Sequence, residues 1–359
     1  MSVIDADTHI DETDATWEYI LDAALKPTTV GPKNPDPSRP PTRYWEIGGK
    51  RQLRFIRDDV KTGTKVEQRE LLDVPARLRH MDELGVEVQV IYPTMFLAAF
   101  TENPELDYAL RRSYNRWLAE RCEQSRGRLR WVCLPPLLKP DKIEEELRFA
   151  KDHGACGVLK KGDREADKWV ADPYFHPTYE LAEKLDMPIC FHQGSGVPDF
   201  SPVKEFTYGQ FYRITLPVVH AFHTLILHGI PEKFPKLRFG FIEAAATWVP
   251  YALYELRRRL AKNQPGISVL DNLNQFSMRD DTLKANRFYV SVQVDEDLPY
   301  LMKQTGEDNL VVGSDYSHAD WFRELGYRQR LQERVAGGDI TDKAVAKMTF
   351  DNVKALYGL

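Results

Sequence analysis

The stretch Val3–His9, which reads VIDADTH, decides how the rest of the sequence is interpreted. Two apolar residues lead into alternating polar positions, a pattern typical of a short strand. Because side chains two apart on a strand share a face, Asp5, Asp7 and His9 should point the same way. Such a face must reach solvent or bind a cation, since burying these groups unpaired is costly. An exposed polar edge strand would also explain this stretch, so the ends of the later strands decide between the two.

Composition excludes several classes of protein. The chain has 359 residues with 42% hydrophobic content, enough for one large domain or two small ones with a filled core. A net charge of -5 gives no electrostatic basis for binding nucleic acid. No apolar run approaches the ~20 residues of a membrane span, and no signal peptide is expected at the N-terminus. The four cysteines lack a Cys-x-x-Cys pair, so we predict a cytoplasmic protein with reduced thiols.

Residues 14–74 do not resemble a regular core. Six prolines fall between Pro27 and Pro41, and proline removes backbone donors and interrupts regular elements. We therefore predict a long ordered loop or lid with little secondary structure, inserted into a single domain that spans residues 1–359. The aromatic residues Trp17, Trp45 and Phe55 should anchor this segment, so that it covers a pocket.

From residue 75 onward, strand-like apolar runs alternate with helical patterns. The predicted strands are 86–92, 129–134, 155–160, 187–192, 237–243, 287–292 and 310–314, and the predicted helices are 75–84, 104–125, 141–153, 173–185, 215–234, 248–262, 298–305 and 341–357. With the opening stretch this makes eight strands, and such alternation favours parallel pairing with right-handed crossovers. We predict an α/β fold, a (β/α)8 TIM-type barrel with a long proline-rich N-terminal insertion. An open doubly wound sheet is the alternative, but no Gly-x-Gly-x-x-Gly follows the first strand.

Possible metal ligands stand at the carboxyl ends of several predicted strands, where barrels of this kind place their chemistry. Strand one ends on Asp7 and His9, strand five on His192, strand six on Glu243 and strand eight on Asp315. Each residue alone would be weak evidence, because a terminal His or Asp often only caps a loop. Their convergence on one rim indicates a metal site.

These motifs resemble those of the metal-dependent amidohydrolase superfamily. Within it, the branch that includes aminocarboxymuconate-semialdehyde decarboxylase and resorcylate-type decarboxylases is the most similar. The resemblance covers nearly the whole chain and rests on five stretches: Ile4–His9, Pro188–Gly194, Phe234–Glu243, Gly313–Tyr316 and Asp351–Leu359. It implies a barrel that binds a divalent metal, acts on a small-molecule substrate and forms a homodimer.

The sequence departs from the family pattern at two positions. The usual opening His-x-His has Asp7 as its first member, and Glu243 stands where the muconate decarboxylase type carries an acid-base histidine. The resemblance still implies that Asp7, His9, His192 and Asp315 bind one metal ion, with water in the open position. The carboxylate-rich set makes iron or manganese as reasonable as zinc. Glu243 could ligate or bridge a second ion, so one or two ions per chain are expected.

Further residues are predicted to line the substrate pocket, namely Lys160, Trp248, Tyr316 and His318. Lys160 or Lys161 stands where bimetallic members of the superfamily carry a carbamylated lysine, but an exposed turn or a contact with a substrate anion is the simpler interpretation. The aromatic residues favour a bulky apolar or aromatic substrate. His80 falls on a predicted helix and is expected to be structural.

The predicted site favours hydrolysis. A metal lowers the pKa of its bound water to about 7, and Asp315 could take a proton from that water and pass it to a leaving group. We predict a metal-dependent hydrolase of an amide, ester, thioester or C–C bond beside a carbonyl, with Asp315, Glu243 and His192 as catalytic residues. A decarboxylase is the first alternative, but it needs a proton donor and cationic carboxylate clamps, and an ionised Glu243 is a poor donor. An inactive binding protein on the same fold is the second alternative. Pairing of Glu243 with Lys160 would leave Glu243 a purely structural role.

Overall fold

The computed structural model describes residues 2–31, 43–54, 57–97, 101–194, 211–261, 281–319 and 322–359. The strands are β1 (Ile4–His9), β2 (Thr28–Val30), β3 (Arg43–Ile47), β4 (Lys50–Arg54), β5 (Val88–Tyr92), β6 (Leu129–Cys133), β7 (Ala155–Lys160), β8 (Ile189–His192), β9 (Phe239–Ile242), β10 (Phe288–Ser291) and β11 (Leu310–Val311). Eight of them form one parallel sheet in the order β1-β5-β6-β7-β8-β9-β10-β11, and β2, β3 and β4 form a separate sheet.

The parallel sheet closes on itself where the chain after β11 runs beside β1. Thr8 forms a parallel bridge with Tyr316. The backbone N–H of Asp315 donates to the carbonyl of Asp7 at 3.0 Å, and that of His9 donates to the carbonyl of Tyr316 at 2.9 Å. These bonds make a nearly closed barrel surrounded by helices, which confirms the predicted TIM-type fold.

Helices fill the connections between the strands, as expected for parallel pairing. Asn103 caps the longest one by accepting from two backbone N–H groups, and Gly85 ends another in the left-handed conformation. None of the described helices combines the length and apolarity needed to cross a membrane. The helices are Asp59–Thr62, Val66–Arg69, Val74–Leu84, Pro104–Glu123, Ile143–Asp152, His176–Lys184, Leu216–Leu227, Ile230–Lys233, Trp248–Ala261, Thr282–Asn286, Leu298–Thr305, Tyr327–Ala336, Asp342–Ala346 and Asn352–Tyr357.

A layer of aromatic rings fixes the strands that carry the later half of the site. Phe241 on β9 lies 4.9 Å from Phe288 on β10 and 5.6 Å from Phe191 on β8, measured between ring centroids. Phe222, from the helix Leu216–Leu227, packs edge-on against Phe241 at 5.2 Å. Rings in these orientations add to the stabilisation from burial alone. The ends of β8 and β9 are thereby held in a fixed relation to each other.

The segment 14–74 contains more regular structure than the sequence analysis predicted. β2, β3 and β4 form an antiparallel sheet, so the expectation of little secondary structure was wrong for the described part. β3 and β4 are joined by Gly48 and Gly49, both with positive φ (55° and 77°), which suits a two-residue hairpin turn. The prolines from Pro32 to Pro41, and the proposed anchor Phe55, lie outside the described residues.

Two tryptophans attach this segment to the barrel. Trp17 and Trp45 are both buried, and their ring centroids lie 5.6 Å apart. Trp17 also lies 6.1 Å from Phe96, which follows β5, and Phe96 packs against Tyr114 of the helix Pro104–Glu123. Both tryptophans therefore have the buried environment expected of anchors. A role of the segment as a pocket cover stays a prediction.

Candidate metal centre

Side chains from β1, from β8 and from the residues after β9 and β11 converge at the carboxyl end of the barrel. Two overlapping sets of four residues each bring one ligand atom per residue within 4.8 Å of the other three, and all of them are buried. The first set is Asp7, His9, His192 and Glu243, and the second is His9, Glu243, Asp315 and His318. The structure thus brings together all five residues that were predicted as metal ligands.

The distances between these atoms match those around a metal ion. His192 Nε2 lies 3.2 Å from Asp7 Oδ1 and 3.0 Å from Glu243 Oε2. His9 Nε2 lies 3.3 Å from Asp7 Oδ1 and 3.4 Å from Asp315 Oδ1. Bonds of about 2.0–2.2 Å to a common ion place neighbouring ligand atoms about 3.0–3.5 Å apart. The arrangement therefore has the size of a coordination sphere.

Backbone carbonyls orient both imidazoles. His9 Nδ1 lies 2.9 Å from the carbonyl oxygen of Pro93, and His192 Nδ1 lies 2.6 Å from that of Gln193. Since a carbonyl oxygen only accepts, each neutral ring carries its proton on Nδ1 and turns the Nε2 lone pair inward. Among the described residues, the buried atoms His9 Nε2 and Glu243 Oε2 make only ion-pair contacts with other groups of the cluster. A cation would satisfy both atoms, so the donor set fits a divalent metal.

The charges of the cluster stabilise one another. Burial alone would raise the pKa of Asp7, but the nearby charge and hydrogen bond of His192 outweigh burial and hold that pKa below its usual range. The same balance between burial and His192 lowers the pKa of Glu243. Burial would lower the pKa of His192, but Asp7 and Glu243 raise it to about 10. Both carboxylates are therefore ionised at neutral pH, and a metal ion that binds here displaces the proton from His192.

Two of the carboxylates occupy strained backbone positions. Glu243 has φ 55° and Asp315 has φ 50°, in the left-handed region that costs roughly 1–2 kcal/mol for a residue with a side chain. The N–H of Glu243 donates to Ser291 Oγ at 2.7 Å, and the N–H of Asp315 donates to the carbonyl of Asp7. Strain that the surroundings hold in place is typical of functional sites. Here the strained residues follow the ends of β9 and β11, and their carboxylates point toward the cluster.

The closing seam of the barrel holds β1 against the residues after β11. Asp5, two residues before Asp7 on β1, accepts from the backbone N–H of Ser314 at 2.8 Å and from its hydroxyl at 2.6 Å. At Gly313 the chain passes so close to β1 that an added Cβ would lie 2.4 Å from Asp7 Cβ. Glycine is therefore required for this approach, and the seam fixes Asp7 relative to Asp315.

We expect Gly313→Ala to lower the free energy of unfolding by about 1–3 kcal/mol, because the new methyl group overlaps Asp7. Displacing Asp7 should also weaken metal binding. Urea denaturation and competition with a chelator measure the two effects. Gly337→Ala is the matched control, since its new Cβ would meet only carbonyl oxygens at 3.5 Å. If both variants had the same free energy of unfolding and the same metal affinity, the seam would tolerate the methyl group.

Comparison with known proteins places the chain in a family. The sequence model Amidohydro_2, described as amidohydrolase, matches residues 4–359. The chain belongs to the amidohydrolase family. The gamma-resorcylate decarboxylase of Rhizobium sp. (strain MTP-10005) is 27% identical over 207 residues, which cover 54% of this chain and 62% of that protein. The match therefore spans less than two thirds of this relative's length.

Two solved structures share the fold over its whole length. An amidohydrolase from Mycobacterium avium subsp. paratuberculosis K-10 has a TM-score of 0.73 at 20% identity and covers 100% of this chain and 98% of its own. The 5-carboxyvanillate decarboxylase of Sphingomonas paucimobilis has a TM-score of 0.72 at 15% identity, with coverages of 100% and 99%. At such low identity these likenesses show the amidohydrolase barrel and no more.

Lys160 has a partner of its own in this amidohydrolase. Its Nζ lies 2.9 Å from Glu165 Oε2 and 4.0 Å from the centroid of the Phe175 ring, and the side chain is buried. Glu243 instead interacts with His192 and accepts a hydrogen bond from Gln193 Nε2. The alternative in which Glu243 pairs with Lys160 is therefore wrong. Lys160 is not an exposed turn residue either.

Two aromatic residues that were predicted to line the pocket contact the chain around the strand ends. The Tyr316 hydroxyl lies 2.7 Å from His80 Nδ1, and the Arg77 guanidinium stacks 3.5 Å from the centroid of its ring. The indole N–H of Trp248 donates to the carbonyl of Ala245 at 2.9 Å. His318, another predicted pocket residue, belongs to the metal cluster. A role of Trp248 and Tyr316 in binding substrate stays a prediction.

Arg57 is a functional candidate that the sequence analysis missed. Its side chain is only 12% exposed and donates to Asp11 Oδ1. Burial lowers the pKa of His318 well below its usual value, and the positive charges of His9 and Arg57 lower it further. Arg57 therefore places a positive charge on Asp11, two residues after His9, and this charge acts on His318 of the metal cluster. No spacing or motif marks an isolated arginine within an irregular stretch, so only the structure reveals it.

Proposed function

We propose that this protein is a metal-dependent non-oxidative decarboxylase of an aromatic or muconate-type carboxylic acid. The observation that carries the proposal is the ion pair of Arg57 with Asp11, two residues after the ligand His9, and the effect of this positive charge on His318 of the carboxylate-rich cluster. Such a charge could serve as the cationic carboxylate clamp that decarboxylation needs and that the sequence analysis did not find. Similarity to gamma-resorcylate decarboxylase supports the same reaction. The proposal therefore reverses the preference for hydrolysis drawn from the sequence.

The metal would be held by the five predicted ligands Asp7, His9, His192, Glu243 and Asp315. Three carboxylates and two imidazoles are compatible with zinc, iron or manganese. When bound, the ion supplies positive charge that anchors an anionic substrate and stabilises negative charge as it develops.

Side chains of this protein would carry the remaining steps. Arg57 pairs with the substrate carboxylate, and Asp11 keeps its guanidinium in place. The bond between the ring or chain carbon and the carboxyl carbon breaks, CO2 departs, and the electron pair stays on the substrate carbon. Asp315 takes a proton from water and delivers it to that carbon. Glu243 remains ionised because of His192 and acts through its charge.

Hydrolysis remains the second candidate because of Glu243. Its lowered pKa makes it an acceptor for a proton from water, and it stands where decarboxylases of the resembled type carry a histidine. Reaction of the metal-loaded protein with hydroxybenzoates, carboxyvanillate-like acids and muconate-type acids separates the two. Decarboxylation predicts CO2 with one equivalent of decarboxylated product. Turnover of amides or esters without CO2 from any acid would overturn the proposal in favour of hydrolysis.

Arg57→Gln should lower kcat/KM for the carboxylate substrate about 10–100-fold, since a hydrogen bond to a charged group contributes about 1.5–3 kcal/mol. The matched control is Arg54→Gln. Arg54 is 13% exposed, close to the value for Arg57, but it pairs with Asp14 in the small sheet. Steady-state CO2 release measures both variants. An equal loss of kcat/KM in the two variants would show that Arg57 has no part in binding substrate.

A further inference from the structure

His318 makes two polar contacts that constrain where its protons lie. It follows β11 by a few residues, is buried, and stacks on His9 with the ring centroids 3.9 Å apart. Its Nε2 lies 3.1 Å from Thr94 Oγ1, and its Nδ1 lies 2.6 Å from Asp315 Oδ1. A hydrogen bond needs one donor and one acceptor, so the partner in each contact shows whether the ring nitrogen carries a proton.

The Thr94 contact assigns a proton to Nε2. A threonine hydroxyl has a single proton, and Thr94 Oγ1 donates it to the carbonyl oxygen of Ile10 at 2.6 Å. The carbonyl cannot donate in return, so Thr94 Oγ1 has only a lone pair left for His318. The backbone N–H of Thr94 also donates to Glu12, which holds the residue in this position. Nε2 of His318 must therefore be the donor.

The Asp315 contact then lacks a donor. A neutral imidazole with its proton on Nε2 has a lone pair on Nδ1, and this lone pair points at a carboxylate oxygen only 2.6 Å away. Two acceptors at this distance repel unless a proton or a metal cation lies with them. Asp315 and His318 belong to a set of four possible ligand atoms, with His9 and Glu243, that lie within 4.8 Å of one another. The surroundings thus favour a cation over a single proton.

We propose that His318 is a metal ligand, binding a divalent cation through Nδ1 beside Asp315. His9 and His192 present Nε2 instead, so the site combines imidazoles of both orientations. The inference rests on the metal centre of the proposed function but not on its reaction. It replaces the predicted role of His318 in binding substrate, and it adds a nitrogen ligand to a carboxylate-rich set.

The test uses metal-free full-length protein with Zn2+ or Co2+ alone as the probe. His318→Ala should weaken Zn2+ binding at least about tenfold in chelator competition and change the visible absorption of bound Co2+. His318→Asn, whose amide oxygen takes the place of Nδ1, should bind more tightly than His318→Gln, whose oxygen takes the place of Nε2. His220→Ala is the control, because His220 contacts the carbonyl of Gly162 and lies outside both sets.

Unchanged Zn2+ affinity and an unchanged Co2+ spectrum in His318→Ala would overturn the inference. A proton on His318 Nδ1 in 15N spectra of Zn2+-loaded wild-type protein would overturn it too, and this result does not depend on any variant folding. CO2 release enters neither readout. Metal binding that depends on His318 in a protein without decarboxylase activity would refute the proposed function alone. Decarboxylase activity together with metal binding that does not depend on His318 would refute this inference alone.

Discussion

His192→Ala is expected to weaken metal binding more than about 100-fold and to remove measurable turnover, while the barrel stays folded. His192 Nε2 lies within 3.2 Å of both Asp7 Oδ1 and Glu243 Oε2, so the substitution removes the ligand at the centre of the first set. Without its positive charge or a metal ion, the two buried carboxylates would repel each other. The strand itself depends on backbone pairing of β8 with β7 and β9, which the imidazole does not supply.

Metal content after dialysis, CO2 release and circular dichroism together measure this outcome. His153→Ala provides the control, because His153 is an exposed histidine whose ring contacts the carbonyl and the ring of Phe149, far along the chain from the predicted ligands. Full metal occupancy in His192→Ala would show that His192 is not a ligand. If His192→Ala lost the circular dichroism spectrum of the folded protein and His153→Ala kept it, His192 would be needed for folding.

Glu243→Gln should lower the rate by roughly 10²–10⁴, because it keeps the shape of the side chain and removes its charge. Oε1 of Glu243 accepts from Gln193 Nε2, and Oε2 lies 3.0 Å from His192 Nε2. In the variant the carbonyl oxygen can keep the bond to Gln193 only by turning the NH2 group toward the ligands. That group cannot coordinate a cation, so metal binding should weaken as well.

Metal content separates the roles that Glu243 could have. A fall from near two ions per chain toward one identifies a ligand of a second ion, whereas a constant content with a reduced rate identifies a group that acts on substrate or water. Glu165→Gln is the control, since Glu165 is a carboxylate in the connection after β7 that pairs with Lys160. It should reduce stability without changing metal content. No change of metal content or rate in Glu243→Gln would exclude Glu243 from the chemistry.

The barrel could be predicted because its signals are local and repeated. The strand predicted at 155–160 is found as Ala155–Lys160, and the helix predicted at 298–305 as Leu298–Thr305. The sheet of β2, β3 and β4 was missed because its strands are short and flank a proline-rich stretch. The pair Gly48-Gly49 was the available signal, since two residues with positive φ favour a hairpin.

The ligands could be predicted because they stand at strand ends, where the barrel fixes their direction. The direction of the side chains that follow these strand ends could not be predicted. Ala245 has φ 55° and Ser317 has φ 82°, so the chain leaves the extended geometry and the alternation of side chains no longer holds. The positions of Trp248 and Tyr316 relative to the pocket therefore could not be predicted from alternation along a strand. Arg57 depends on a tertiary contact with Asp11, which has no signature in the sequence.

Elemental analysis of the purified and reconstituted protein tests the central claim, a divalent metal centre at the carboxyl end of the barrel. We expect zinc, iron or manganese in near-stoichiometric amount per chain in the wild type, retained through desalting. The same treatment should leave His192→Ala almost free of metal. A wild-type protein that retains no divalent metal after reconstitution would show that the barrel has no such metal centre.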